Sequence, residues 1–169
     1  MRHLHGSAMA LAIAAIGLAS VNAAAQTPEG NNSIRNRNSG LCLEVEDAST
    51  EPGAQIIQNR CTRREDQLFR LAVDGRNPDL YYIIVDHTGQ CIGPRRSEST
   101  NPRAPIVQAR CTTQDHHKFR LVSMGSYYRI VSERSGLCLA VEGSSLEAGA
   151  RIVQFGCSGR PNQQFLFVP

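Results

Sequence analysis

The sequence predicts an all-β protein built from three copies of one four-stranded unit. Six cysteines fall into three pairs at near-constant spacing, and a short motif repeats around each cysteine. No useful length of chain shows the 3.6-residue periodicity of an amphipathic helix.

The N-terminus stands apart from the repeats. Arg2 precedes a mostly apolar run from Ala8 to Val21, and Asn22-Ala23-Ala24-Ala25-Gln26 follows. A basic start, a short apolar stretch and small residues before a polar one form the pattern of a secretory signal peptide. Cleavage fits after Ala23 or after Ala25. The second choice gives a signal peptide over 1–25 and a short segment over 26–32. The apolar run is shorter than the ~20 residues of a bilayer span, and no other segment is apolar enough to cross. The expected location is therefore the periplasm or the extracellular medium.

With Arg2 removed, seventeen basic residues face fifteen acidic ones. The basic residues are scattered, whereas nucleic-acid binding needs a concentrated basic face. Nucleic acid is not an expected partner.

Each repeat opens on an apolar strand and a hairpin. Ile34, Ile83 and Ile130 stand eight residues before Cys42, Cys91 and Cys138, and Gly40, Gly89 and Gly136 stand two before them. A glycine there suits a hairpin turn that needs positive φ. The second half repeats as Ala54-Gln-Ile-Ile-Gln-Asn-Arg-Cys61, Ala104-Pro-Ile-Val-Gln-Ala-Arg-Cys111 and Ala150-Arg-Ile-Val-Gln-Phe-Gly-Cys157. Eight residues beyond each of these cysteines comes Phe69, Phe119 or Phe165. Short runs rich in Ile, Val, Leu, Phe and Tyr, separated by Ser-Gly, Thr-Gly, Pro-Gly and Asp-Gly, read as four strands per copy and twelve in all. The copies run over about 33–76, 80–125 and 127–169, inside one domain at 33–169.

An even set of cysteines in an exported chain reads as disulfides, and no close Cys-x-x-Cys or Cys/His spacing points to a metal. Two schemes treat the copies alike: pairing within each copy, or pairing shifted by one copy all round. The economical scheme is Cys42–Cys61, Cys91–Cys111 and Cys138–Cys157. Each closed loop would stabilise the fold by ~3 kcal/mol in the chain-entropy model.

Gly-Leu-Cys-Leu or its variant, the Ile-Val-Gln run before a second cysteine, and Gln67-Leu-Phe69, His117-Lys-Phe119 and Gln163-Gln-Phe165 resemble the ricin B-type lectin family, whose hallmark is Gln-x-Trp. The likeness spans about residues 33–169. It implies a β-trefoil: a six-stranded barrel capped by three hairpins with pseudo-threefold symmetry. Phe replaces Trp in all three copies, and His117 replaces the glutamine in the second.

The resemblance also implies one shallow sugar site per repeat. Its parts are an Asp two residues after the first cysteine, an aromatic two before the second, and an Asn-Gln pair. A carboxylate and an amide bond vicinal hydroxyls in fixed directions, and a flat aromatic face takes the C–H side of a pyranose. The first copy offers Glu44, Asn59, Asp66 and Gln67. The second offers Gly93, Ala109, His116 and His117, which leaves nothing to hold a sugar. The third has Ala140 at the acid position but keeps Phe155, Asn162 and Gln163, with Gln154 or Glu142 as substitutes for the missing polar contact. Gln67 and Gln163 equally suit bracing backbone groups across a hairpin.

The expected function is a secreted carbohydrate-binding module with degenerate sites, the third repeat being the best candidate. The alternative is a protein-binding trefoil, an inhibitor or a delivery subunit of a toxin or enzyme. No cofactor, metal or catalytic residue is expected: no serine sits in a nucleophile-elbow pattern, and no paired carboxylates suit glycoside hydrolysis.

Overall fold

Alternating apolar residues and glycine- or proline-bearing turns produce four strands in every repeat. The computed structural model describes residues 28–169, so the expected signal peptide lies outside the described residues. The strands of the first repeat are β1 (Asn31–Asn36), β2 (Cys42–Val45), β3 (Ile56–Asn59) and β4 (Phe69–Asp74). Those of the second are β5 (Asn77–Val85), β6 (Cys91–Pro94), β7 (Ile106–Ala109) and β8 (Phe119–Met124). The third contributes β9 (Tyr127–Ser132), β10 (Cys138–Val141), β11 (Ile152–Phe155) and β12 (Phe165–Val168). The helical pieces among the described residues are three-residue 3-10 turns, and no helix there is long and apolar enough to cross a membrane.

Six strands close a barrel. β1 pairs with β12 and β4, β4 with β5, β5 with β8, β8 with β9, and β9 with β12, all antiparallel. Closure leaves no barrel edge unpaired. The remaining strands form the hairpins β2–β3, β6–β7 and β10–β11. Each hairpin is tied to the barrel at its first cysteine, through Arg35↔Cys42, Ile84↔Cys91 and Val131↔Cys138. This is the β-trefoil. The glycines two before those cysteines hold φ of 72°, 66° and 69°.

The core repeats threefold as the sequence does. Phe69, Phe119 and Phe165 are fully buried, surrounded by Ile34, Ile83 and Ile130, by Leu43, Ile92 and Leu139, and by Ile56, Ile106 and Ile152. Phenylalanine fills the hallmark tryptophan position, and burial of three such rings stabilises the fold by ~2–3 kcal/mol each. The disulfides are Cys42–Cys61, Cys91–Cys111 and Cys138–Cys157, each within one repeat. They join the first residue of each hairpin to the segment leaving it, so they hold the loops that border the candidate sites.

Glutamines lock one repeat to the next. Gln58 donates to the carbonyls of Ser145 (3.1 Å) and Glu147 (2.8 Å) in the third repeat. Gln108 donates to Ser49 (2.8 Å) and Glu51 (2.9 Å) in the first, and Gln154 to Ser99 (3.1 Å) and Asn101 (2.9 Å) in the second. Each side-chain oxygen also accepts from a hydroxyl: Ser39, Thr88 and Ser135 in turn. Gln154 is therefore a buried staple and not a ligand contact. Successive side chains of a strand point to opposite faces, so Gln154 turns inward where its neighbour Phe155 turns outward.

At the pseudo-threefold axis the symmetry breaks. The side chain of Gln55 donates towards the carbonyls of Ile56 (2.9 Å), Ile106 (2.8 Å) and Ile152 (3.2 Å), one from each repeat. Pro105 and Arg151 stand at the equivalent positions, so one amide serves three acceptors.

Candidate functional site

The three positions where a sugar site would lie have the same backbone frame and different contents. In every repeat the residue at the hallmark glutamine braces the loop after the second cysteine. Gln67 Oε1 accepts from the Thr62 N–H at 2.8 Å, and Gln163 Oε1 from the Ser158 N–H at 2.8 Å. His117 Nδ1 takes the same bond from the Thr112 N–H at 3.3 Å. The glutamine nitrogens reach back to the carbonyls of Arg60 and Gly156 (both 2.8 Å). Gln67 and Gln163 thus fill the bracing role that the sequence left open.

The first position is filled by its own side chains. Glu44 accepts from Asn59 Nδ2 at 3.0 Å and from Gln67 Nε2 at 2.6 Å. Asn59, where an aromatic would offer a stacking face, closes onto the carboxylate that would hold a hydroxyl. Asp66 is buried and pairs with Arg64 at 3.5 Å. It opens onto a separate depression lined by Ala48, Glu65 and His87. Glu44, Gln67 and Asp66 do not converge on one open site.

The second position is blocked by histidine. A Cβ on Gly93 would lie 2.5 Å from the His116 carbonyl oxygen and 2.8 Å from His117 Cδ2. The imidazole therefore occupies the space over the acid position, and a side chain there has no room. A backbone N–H can only donate, so His117 Nδ1 is the acceptor and the neutral ring carries its proton on Nε2. Burial, helped by the neighbouring His116, lowers its pKa to about 4. Burial and the charges of Arg96 and Arg134 lower that of His116 as well.

The third position is open. A depression of about 550 Å³ is lined by Ala140, Glu142, Phe155, Ser158, Asn162 and Gln163, with Arg103 and Arg160 at its rim. That volume falls in the range of small-molecule sites. Phe155 and Val153 lie on the same face of β11 and both line the depression, Val153 buried and Phe155 42% exposed. Paired with Cys138 across the hairpin, the ring stands beside the disulfide of its own repeat. Asn162 donates to the Val141 carbonyl at 3.2 Å, which holds the loop against β10. In the first repeat the glutamine nitrogen bonds both a carbonyl and Glu44. In the third, Ala140 removes the carboxylate, so Gln163 Nε2 keeps the Gly156 carbonyl and has no acid to bond. Glu142 lines the depression, but Arg151 clamps both of its carboxylate oxygens at 2.9 Å.

Residues 30–165 match the family profile described as "Ricin-type beta-trefoil lectin domain". The chain belongs to that family.

Solved structures agree on the ricin-type fold. A designed threefold-symmetric protein, ThreeFoil, is 34% identical with a TM-score of 0.79 over 83% of this chain and 99% of its own. An exo-β-1,3-galactanase from Clostridium thermocellum is 27% identical with a TM-score of 0.77 over 82% of this chain, which spans 30% of that enzyme. The C-half of an earthworm R-type lectin, solved in complex with GalNAc, is 20% identical with a TM-score of 0.62 over 83% of this chain and 98% of its own. A search of curated proteins finds no match. The ricin-type fold is typically a non-catalytic carbohydrate-binding module, although some neighbours are parts of enzymes or toxins.

In this ricin-type domain the sequence reading missed Arg103. It comes from the second repeat yet lines the depression of the third, its guanidinium carbon 5.9 Å from the centre of the Phe155 ring. A signal was present in the turn sequences, where Pro102-Arg103 stands opposite Pro52-Gly53 and Ala148-Gly149.

Proposed function

We propose that the chain is an exported lectin module that binds a glycan through the depression of its third repeat, and that the first two positions no longer bind sugar. One observation carries this reading. Only the third position combines an exposed aromatic face with an open floor, whereas Glu44–Asn59 fills the first and His117 the second. A pyranose would lay its C–H face on Phe155, and the spare Gln163 N–H, Ser158 and Asn162 would bond its oxygens. The ricin-type fold and the GalNAc complex of the earthworm lectin support a sugar as ligand.

A single shallow site of this kind gives affinity in the ~mM range. Several copies, or a partner chain such as a glycan-degrading enzyme, would then supply avidity. The N-terminal pattern of Arg2, the apolar run and Ala23-Ala24-Ala25 supports export.

The closure of two positions out of three supports a second reading, a trefoil whose loops bind protein. A glycan array with the parent and Phe155→Ala separates the two. The sugar reading expects hits that vanish in the variant while its circular dichroism and unfolding midpoint stay within error. Hits that survive the substitution would move the site elsewhere. An empty array, with a defined protein captured from the same culture fluid, would favour the second reading.

A further inference from the structure

From the charges around the third depression we infer that its ligand is an anionic sugar, a pyranose bearing a carboxylate or a sulfate, held by Arg103 and Arg160. The inference rests on the proposed reading of this depression as the sugar site.

Arg103 adopts φ of 66°, in the left-handed region that disfavours residues with a Cβ. Gly53 (φ 95°) and Gly149 (φ 86°) occupy the same place in the other two repeats. The turn is the same in all three. Gly53 N–H donates to the Gln108 carbonyl at 2.7 Å, Arg103 N–H to Gln154 at 2.7 Å, and Gly149 N–H to Gln58 at 2.8 Å. Glycine meets every demand of that turn without strain, so the turn gains nothing from arginine. Backbone strain of this sort concentrates where a side chain is needed for function. Here the side chain reaches from the second repeat to the Phe155 ring of the third. At 5.9 Å the guanidinium lies over that ring, near the outer limit of a cation–π contact, so the cation and the aromatic face one space.

Arg160 approaches from the loop after Cys157. Its counterpart in the first repeat, Arg64, is paired with Asp66. Asn162 replaces that aspartate in the third repeat, and among the described residues no carboxylate pairs with Arg160 or with Arg103. The one acid lining the depression, Glu142, is neutralised by Arg151. Ala140 removes the carboxylate that would accept hydrogen bonds from a neutral sugar, and Gln163 Nε2, without the acid that Gln67 bonds, is a further donor. The floor and rim therefore present two unpaired cations and a donor. A ligand that brings its own negative acceptor satisfies all three, because charge-assisted bonds to guanidinium are the strong ones.

Galactose, galacturonate and galactose 6-sulfate present one pyranose in neutral, carboxylate and sulfate form. Their binding to the parent, Arg103→Gly and Arg160→Gln would be followed by amide chemical shifts at low and high salt. The parent should bind at least one acidic form about tenfold more tightly than galactose, with salt weakening the acidic form selectively. Each variant should cut that preference about fivefold, the scale of one partly exposed ionic contact. Whichever acidic arm shows the preference identifies the anion. Arg103→Gly should unfold at no lower a temperature than the parent, because glycine relieves the turn, so its loss of preference is not a loss of fold. Equal binding of galactose and both acids, or a preference that survives both substitutions, would overturn the inference and leave the sugar site standing. Binding of none of the three would count against both.

Discussion

Replacing His117 by glutamine, the residue at the equivalent position of the other two repeats, should remove an acid-sensitive contribution to stability. The imidazole is buried and accepts the Thr112 N–H, so protonation removes its acceptor and places a charge beside the Gly93 backbone. Its pKa in the folded protein is about 4, against ~6.5 in an unfolded chain. The folded value lies below the unfolded one, so as pH falls the unfolded chain takes up the proton first. The contribution is complete above the unfolded value, declines between ~6.5 and ~4, and is gone below. The gap of ~2.5 units corresponds to at most about 3 kcal/mol, of which about 2 kcal/mol is lost by pH ~4.5. Urea unfolding at neutral pH and at pH ~4.5 measures this in both proteins, and the carboxylates common to both cancel in the comparison. The parent should lose about 2 kcal/mol more on acidification than His117→Gln. Equal losses would refute a buried neutral imidazole as the group that closes the second position.

Gly93→Ala should cost about 1–3 kcal/mol, since its Cβ meets the His116 carbonyl and the His117 ring. In the His117→Gln background it should cost less, and strict additivity in that double-mutant cycle would show that the imidazole does not set the space there. Gln55→Ala should destabilise by about 1–2 kcal/mol by stripping a shared donor from three axial carbonyls. An unchanged urea midpoint would mean that those carbonyls have no need of it.

Most of the architecture was legible because the same residues recur at the same offsets. Glycine before the first cysteine marked the hairpin, the second cysteine its closure, and phenylalanine the barrel register, where each ring meets the next strand (Phe69↔Val85, Phe119↔Ser132) or the first (Asn36↔Phe165). The site was legible in part. Phe155, Asn162, Gln163 and Glu142 do line one depression. Gln154 was misplaced by reading adjacency in sequence as adjacency in space, which the alternation of a strand forbids. Glu44 looks like the remnant of a site beside a lost aromatic at Asn59, but the hydrogen bond between the two is a tertiary fact that no spacing reveals. Arg103 escaped because each site was assembled from its own repeat. The chain path brings the loop before β7 across to β11, as the Pro105↔Val153 bridge shows.

Crystals of the protein soaked with an oligosaccharide that it retains on a column would test the central claim most directly. Density should appear against Phe155, over Ala140 and within reach of Gln163, and at neither of the other two positions. Sugar density beside Glu44 or His117, with the Phe155 depression empty, would contradict the account.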